Sequence, residues 1–166
     1  MEKADKRILV VDDEQDLCEI LSFNIQIEGY HVDTANSAEE ALEMDIASYD
    51  LLLLDVMMGG MSGFQLAKKL KENPMTAHVP IIFLTARDTE NDTLTGFNLG
   101  ADDYISKPFS IREVMVRIRA VLRRTAEQNG SADEPKVIGY QGLVLNFLDF
   151  VTAYVIADGI ELRLCT

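Results

Sequence analysis

The sequence has 166 residues, a formal net charge of −13 and 48% hydrophobic residues. This length suffices for one well-formed core and part of a second, and the composition is that of a soluble globular chain. The negative charge argues against non-specific nucleic-acid binding by these residues, and no apolar run is long enough to cross a bilayer. The N-terminus lacks the apolar core of a secretory signal, so we expect a cytoplasmic location.

Strand and helix patterns alternate over the first three quarters of the chain. Short apolar segments between turn signals predict strands at residues 7–11, 31–35, 50–55, 80–85 and 103–106. Helices are predicted at residues 15–28, from a capping-box pattern at 37–40, at 63–73, at 89–99, and from a second capping box at 110–113. The helix at 89–99 has the weakest signal, because threonines and a glycine lower its helix propensity.

Five strands alternating with five helices imply an α/β fold, a doubly wound parallel sheet with helices on both faces. The five-stranded member of this class has the strand order 2-1-3-4-5. Residues 51–54 are four leucines, which is typical of a parallel strand buried on both faces. Such a strand belongs near the centre of the sheet.

A change of composition divides the chain into a predicted first domain at residues 1–125, a flexible polar linker at 126–136 and a β segment at 137–166. In the β segment apolar and polar residues alternate, and Asp158 with Gly159 is a hairpin-turn signal. An antiparallel sheet of about thirty residues does not build its own core. We therefore expect its apolar face to need a partner outside this chain.

Polar side chains follow four of the predicted strands. Asp12 and Asp13 come after the first strand, Asp55 ends the third, Thr85 ends the fourth and Lys107 follows the fifth. The carboxyl ends of parallel strands meet at one edge of the sheet, where α/β proteins bind their ligands. Each residue alone has an ordinary explanation as a cap or loop residue, but the coincidence of all of them predicts a site.

The three carboxylates of this predicted site repel one another. At about 5 Å and an effective dielectric constant of about 20, each pair costs on the order of 3 kcal/mol. One lysine does not neutralise three carboxylates, whereas Mg²⁺, which prefers oxygen ligands, suits the set. A carboxylate beside a metal ion is arranged to attack phosphorus, with Lys107 and Thr85 placed to stabilise the phosphoryl oxygens.

Four stretches carrying these residues resemble the motifs of response-regulator receiver domains, the phospho-accepting half of bacterial two-component systems. They are residues 8–14, 54–58, 84–86 and 104–109. The resemblance extends over about residues 6–124 and implies the CheY-like, flavodoxin-like fold. It also implies a signalling switch rather than an enzyme, although such domains can catalyse their own phosphorylation and dephosphorylation.

The resemblance implies a function for each residue at the predicted metal site. Asp55 would be the phospho-acceptor, phosphorylated by a sensor histidine kinase. Mg²⁺ would be held by Asp13, Asp55 and the backbone carbonyl of Met57, with Asp12 acting through water.

The resemblance further implies that Lys107 and Thr85 bind the phosphoryl group and that the Lys107–Pro108 peptide bond is cis. Thr85 would move toward the phosphoryl group, and Tyr104 would turn inward into the space left behind. These two residues are therefore the expected conformational switch.

Residues 100–104, followed by the basic last helix, resemble the OmpR-type subfamily of winged-helix transcription regulators. Members of that subfamily dimerise through charge pairs on helix four, strand five and helix five. The matching charged residues are Asp102, Asp103, Glu113, Arg117, Arg119 and Arg124. Thr93 stands where the subfamily usually has a basic residue that pairs with Glu113. We therefore expect one ion pair of the dimer interface to be absent. Surface pairs contribute little individually, so we still expect a homodimer.

Two further features of the resemblance concern a loop and the C-terminal part. Gly59 stands where the family usually has proline, and we expect it to loosen the loop after Asp55 without touching a metal or phosphoryl ligand. The β segment resembles the small sheet that precedes the DNA-binding helices of the subfamily. We expect those helices to be missing beyond Thr166, so that DNA is bound only through an absent C-terminal domain.

Three other functions remain as alternatives at this point. A stand-alone receiver would act through protein contacts or phosphorelay without DNA, but the linker and β segment argue against it. A haloacid-dehalogenase-type phosphatase needs a second Asp two residues after the nucleophile, where Met57 stands. A flavin-binding protein would need a phosphate-cradling loop after the first strand, where Asp12, Asp13 and Glu14 would repel the phosphate.

Overall fold

The computed structural model describes residues 6–86 and 100–129, and the backbone of four strands between residues 137 and 164. By their internal contacts, Met1–Ala126 and Glu127–Thr166 form two separate compact units. The elements that begin in the first unit are β1 Arg7–Val11, α1 Gln15–Ile27, β2 His31–Ala35, α2 Ala38–Leu42, a 3₁₀ turn Ile46–Ser48, β3 Leu51–Asp55, α3 Gly63–Glu72, β4 Ile81–Ala86, β5 Asp103–Lys107 and the last helix, Ile111–Asn129.

The five strands of the first unit form a parallel sheet with the order β2-β1-β3-β4-β5. The predicted fold class and strand order are therefore confirmed. In the register of the sheet, Val11 pairs with Leu54, Asp55 with Leu84, and Ala86 with Lys107. This register brings the carboxyl ends of β1, β3, β4 and β5 to one edge.

Side chains that alternate along the strands build two hydrophobic cores, one on each face of the sheet. Leu52 and Leu54 belong to the core covered by α2 and α3. Leu51 and Leu53 belong to the core covered by α1 and the last helix. All four leucines have no solvent-accessible surface, and burying one such side chain contributes about 1.5–3 kcal/mol. This double burial explains why the third strand lacks the polar alternation of a half-exposed strand.

Capping differs in detail from the sequence prediction. Ser37 accepts a hydrogen bond from the backbone N–H of Glu40 at 3.0 Å, but the Glu40 carboxylate accepts from Asn36 N at 2.6 Å instead of completing the box at Ser37. A complete capping box instead begins α3, where Ser62 and Gln65 bond reciprocally at 2.9 and 3.3 Å. That box fits the Ser-x-x-Gln pattern and fixes the start of the helix that follows Asp55.

The last helix continues to Asn129, into the segment predicted as a linker at 126–136. Ala126, Glu127 and Gln128 are good helix formers, so the polar composition that suggested a linker is equally compatible with an exposed helical end. The predicted helix at 89–99, with Thr93, lies outside the described residues. Within the described parts of the chain, no helix is both long and apolar enough to span a bilayer.

The second unit contains an antiparallel sheet of four strands in sequential order. These are β6 Val137–Tyr140, β7 Leu143–Leu148, β8 Thr152–Ala157 and β9 Ile160–Leu164. The last two strands pair from Ala157 with Ile160, so the predicted turn residues Asp158 and Gly159 lie between them, outside the described residues.

Candidate functional site

Three of the predicted site residues meet at the carboxyl edge of the parallel sheet. Asp55 ends β3, Lys107 ends β5, and Asp12 directly follows β1. The Lys107 ammonium lies 2.9 Å from Asp55 Oδ1 and 3.0 Å from Asp12 Oδ2. Asp12 has no exposed surface and Asp55 is 3% exposed, so these are buried charges joined by one cation.

The protonation of the site follows from this burial. Burial raises the pKa of Asp55 above its usual range, while the Lys107 hydrogen bond opposes the shift and the Asp12 charge adds to it. Burial alone would lower the pKa of Lys107, but its hydrogen bonds to Asp55 and Asp12 outweigh that effect and raise its pKa. Lys107 therefore stays protonated at neutral pH.

A third acidic residue and a cis peptide bond complete the surroundings of Lys107. Glu14 Oε1 lies 3.4 Å from the ammonium, although the Glu14 side chain is mostly exposed. Nothing in the sequence pattern singled out this contact, because Glu14 lies next to the acidic pair without a spacing signal of its own. The Lys107–Pro108 peptide bond is cis.

The acidic residues of the site fit a hard divalent cation. Asp12, Asp13 and Asp55 each offer a carboxylate oxygen within 4.8 Å of the others. In the described part of the chain, no other group of three metal-ligating side chains lies so close together. All three ligands are oxygen atoms, and together they carry more negative charge than Lys107 neutralises. Mg²⁺ prefers sites of this kind. Met57 lies on the same segment as Asp55, and its side chain is 70% exposed.

Hydrogen bonds position both the backbone and the side chain of Asp12. The N–H of Asp12 donates to the carbonyl of Ala35 at 3.2 Å, and its own carbonyl accepts from Cys18 Sγ at 3.3 Å. Its Oδ1 accepts from Glu14 N at 2.9 Å, which leaves Oδ2 toward Lys107. Both carboxylate oxygens of Asp12 therefore have a partner within the chain.

Gly59 touches the site, contrary to our expectation from the sequence. Its backbone N–H donates to Asp13 Oδ2 at 3.1 Å, so it contacts a carboxylate of the predicted metal set. The expectation was wrong because it considered only the missing side chain. A glycine in place of proline also adds a hydrogen-bond donor.

The two expected switch residues lie on neighbouring strands. Thr85 is 6% exposed, and its hydroxyl donates to the carbonyl of Ala86 at 3.0 Å. Tyr104 is partly buried against the Phe83 ring, with 5.5 Å between ring centroids, and burial raises the pKa of its phenol to about 12. The Tyr104 ring therefore occupies a position between core and surface.

The end of β3 packs closely against the start of α3. Gly63 donates its N–H to the carbonyl of Val56 at 3.2 Å. A Cβ at Gly63 would overlap the carbonyl oxygen of Asp55, so only glycine permits this approach. Gly63 was not among the predicted site residues. The sequence shows a glycine at the start of a helix, but it does not show which part of the backbone packs against that glycine.

We expect Gly63→Ala to lower the free energy of unfolding by about 2 kcal/mol, because β3 and α3 must move apart to admit the methyl group. Urea denaturation measures this change. Gly59→Ala is the matched control and should change stability by less than about 0.5 kcal/mol, because no atom lies within 4 Å of a Cβ at Gly59. Equal stability of the two variants would contradict the close packing at Gly63.

Part of the predicted dimer surface is paired within the chain. Arg117 NH1 lies 3.0 Å from both carboxylate oxygens of Asp103, and Arg117 NH2 lies 3.7 Å from Glu113. These three residues form a charge network between β5 and the last helix. Their groups are half-exposed, so the same network also faces the surface.

The other three predicted dimer residues have different surroundings. Arg119 pairs with Glu28 at the end of α1 at 2.8 Å, and Arg124 donates to the carbonyl of Asp102 at 3.2 Å. The Asp102 carboxylate accepts from Ile81 N at 2.9 Å and so caps the start of β4. Arg119 thus reaches toward α1 rather than toward β5.

Comparisons with known proteins match most of this chain. Residues 8–119 match the family model described as Response regulator receiver domain. The transcriptional regulatory protein CpxR homolog of Haemophilus influenzae is 38% identical over 148 residues, covering 89% of this chain and 64% of that protein. CpxR of Escherichia coli K12 is 43% identical over 144 residues, covering 84% of this chain and 60% of that protein.

Solved structures have the same fold. The crystal structure of TrrA from Thermotoga maritima in complex with Mg²⁺-BeF is 38% identical, with a TM-score of 0.62, and the match covers 70% of this chain and 98% of that one. The chain spans 60–64% of the length of the two CpxR proteins, so it corresponds to part of such regulators.

Proposed function

Because this chain belongs to the response-regulator receiver family of two-component systems, we propose that Asp55 accepts a phosphoryl group from a sensor histidine kinase. The observation that carries the proposal is the buried Asp55 carboxylate, 2.9 Å from the Lys107 ammonium and grouped with Asp12 and Asp13. Burying the Asp12 and Asp55 carboxylates side by side costs stability, which is expected at a functional site.

In the proposed reaction an Asp55 carboxylate oxygen attacks the phosphorus of a phosphohistidine. The new P–O bond forms as the P–N bond breaks, and the released electron pair stays on the imidazole nitrogen. Asp55 becomes a neutral-carbonyl acyl phosphate whose charge now lies on the phosphoryl oxygens. Lys107, already 2.9 Å from Asp55, is placed to follow that charge, and Thr85 offers a hydroxyl donor.

Asp12, Asp13, Asp55 and the Met57 backbone carbonyl would hold Mg²⁺. The ion supplies positive charge that offsets the carboxylates and the phosphoryl oxygens. The oxygen-only donor set supports this assignment. The Asp12 carboxylate is positioned by the Glu14 N–H at Oδ1 and by the Lys107 ammonium at Oδ2.

The phosphoryl group would then act on the switch residues. Thr85 would exchange its bond to the Ala86 carbonyl for one to the phosphoryl group. Tyr104, whose ring already packs against Phe83, would move further inward into the space that Thr85 leaves. The chain is thus a switch whose own side chains also assist the gain and loss of phosphate, and it would act in the cytoplasm.

The matched CpxR proteins are named transcriptional regulators, which supports control of transcription as the output. DNA would be bound through a C-terminal domain that continues from the four-stranded sheet. The alternative is a stand-alone receiver that acts through protein contacts or phosphorelay.

The function is tested by incubating the full chain with Mg²⁺ and acetyl phosphate. Intact-protein mass spectrometry should detect one added phosphoryl group, which is lost in acid or base as expected for an acyl phosphate. Chelation of Mg²⁺ with EDTA should prevent the addition. A chain that gains nothing under these conditions would refute phosphoryl acceptance.

We expect phosphorylation to strengthen homodimerisation about tenfold, or 1.4 kcal/mol, through the surface that includes Asp103, Glu113 and Arg117. Sedimentation velocity with and without acetyl phosphate measures this shift. The control is Asp55→Asn, whose dimer population should be the same with and without the phosphodonor. An unchanged population in the phosphorylated wild-type chain would instead favour the stand-alone alternative.

A further inference from the structure

Backbone N–H groups tie the segment after Asp55 to two acidic side chains, Asp13 at the carboxyl edge of the sheet and Glu39 in the first turn of α2. Gly59 N donates to Asp13 Oδ2 at 3.1 Å, and Met61 N donates to Glu39 Oε1 at 3.1 Å. Gly59 and Asp13 are 46 residues apart in the sequence. Their bond therefore connects the segment that carries the phospho-acceptor with the segment that carries the acidic pair.

We propose that Gly59 is a positioning residue for the divalent-cation site, and that it acts through its backbone N–H on Asp13. The inference rests on the proposed function, because it takes Asp13 as a ligand of the ion. Asp13 is exposed, so its side chain would lose rotational freedom on binding an ion. A charge-assisted hydrogen bond to Oδ2 removes part of that cost in advance.

The hydrogen bond leaves the carboxylate able to bind an ion. An ionised carboxylate has about four acceptor positions, of which the Gly59 N–H uses one on Oδ2. Oδ1 remains available as a ligand. Groups that hydrogen-bond to metal ligands orient them, and their loss weakens metal binding about 10–100-fold.

The same bond makes the effect reciprocal. If the Gly59 N–H favours ion binding at Asp13, then a bound ion must favour the Gly59–Asp13 bond by the same factor. The ion would therefore steady the segment that begins at Asp55. Solvent exchange of the Gly59 amide hydrogen should slow when Mg²⁺ binds.

Two substitutions separate the N–H from the side chain. Gly59→Pro removes the donor, whereas Gly59→Ala keeps it. The alanine control is sterically permitted, because no atom lies within 4 Å of an added Cβ and Gly59 is not among the positive-φ glycines. Isothermal titration calorimetry of the full chain with Mg²⁺ should give about tenfold weaker binding for Gly59→Pro and wild-type affinity for Gly59→Ala.

Equal affinity in all three proteins would overturn the inference, and so would equal weakening in both variants, since loss of glycine flexibility would then be the cause. Both results leave the proposed function intact, because the wild-type chain still binds Mg²⁺. A wild-type chain that does not bind Mg²⁺ would refute the metal site and the inference together.

A second measurement needs no proline variant and so does not depend on its folding. The exchange rate of the Gly59 amide hydrogen is measured by NMR in the wild-type chain and in Asp13→Ala. We expect at least about tenfold faster exchange in Asp13→Ala, on the scale of one lost hydrogen bond to a charged group, and slower exchange in the wild-type chain with Mg²⁺. Identical rates in all three samples would contradict the proposed bond.

Discussion

Asp55→Asn is expected to abolish the gain of a phosphoryl group from acetyl phosphate and Mg²⁺. The amide lacks the anionic oxygen that attacks phosphorus, so the rate should fall at least about 10³-fold, as for other removed nucleophiles. Intact mass and peptide mapping measure the modification. The fold should persist, because asparagine has nearly the same shape and removes one of the mutually repelling buried carboxylates.

Asp45→Asn is the matched control for this substitution. Asp45 is exposed and lies before the 3₁₀ turn, away from the carboxyl edge of the sheet. Its variant should be phosphorylated at the wild-type rate. A modification that survives unchanged in Asp55→Asn would refute the assignment of the phospho-acceptor.

Lys107→Met should affect both phosphorylation and stability. Methionine fills a similar volume but carries no charge to stabilise the phosphoryl oxygens, so the rate should fall about 10²-fold. Without metal, buried Asp12 and Asp55 lose the ammonium that lies 3.0 and 2.9 Å away. Removing one partner of a buried ion pair costs about 3 kcal/mol of unfolding free energy, and urea denaturation measures it.

Mg²⁺ separates the charge effect from a packing effect. If the lost charge causes the instability, saturating Mg²⁺ should recover part of it, because the ion neutralises the same carboxylates. Lys68→Met is the control, since Lys68 is 64% exposed and lies 3.9 Å from Glu72. It should change stability by less than about 0.5 kcal/mol. If Mg²⁺ does not restore any of the stability that Lys107→Met loses, the cause would be lost packing instead.

Local patterns allowed most of the first unit to be predicted from the sequence. Residues 7–11 and 31–35 form strands with the predicted bounds. The prediction worked because alternating burial on the two faces of a parallel sheet demands apolar residues that local sequence already contains. It was less successful at helix ends, where the Ser62 capping box was overlooked and the last helix ran into the predicted linker.

The site was predictable only as a set of residue types at one edge. Parallel strands must bring their carboxyl ends together, so Asp12, Asp55 and Lys107 had to be neighbours. The spacing of residues in the sequence does not show which side chains and backbone groups form hydrogen bonds or ion pairs with one another. Glu14 beside Lys107 and the backbone of Gly63 against Asp55 follow from the paths of loops, and those paths depend on packing between distant segments.

The sequence by itself determined the sheet order and the acidic edge, because hydrophobic periodicity and the handedness of crossovers leave few other arrangements. Only the tertiary structure decided that Lys107 lies between Asp12 and Asp55 and that Gly59 holds Asp13. These contacts join residues 95 and 46 positions apart. Their geometry depends on how three loops fold over one end of the sheet, which no local pattern encodes.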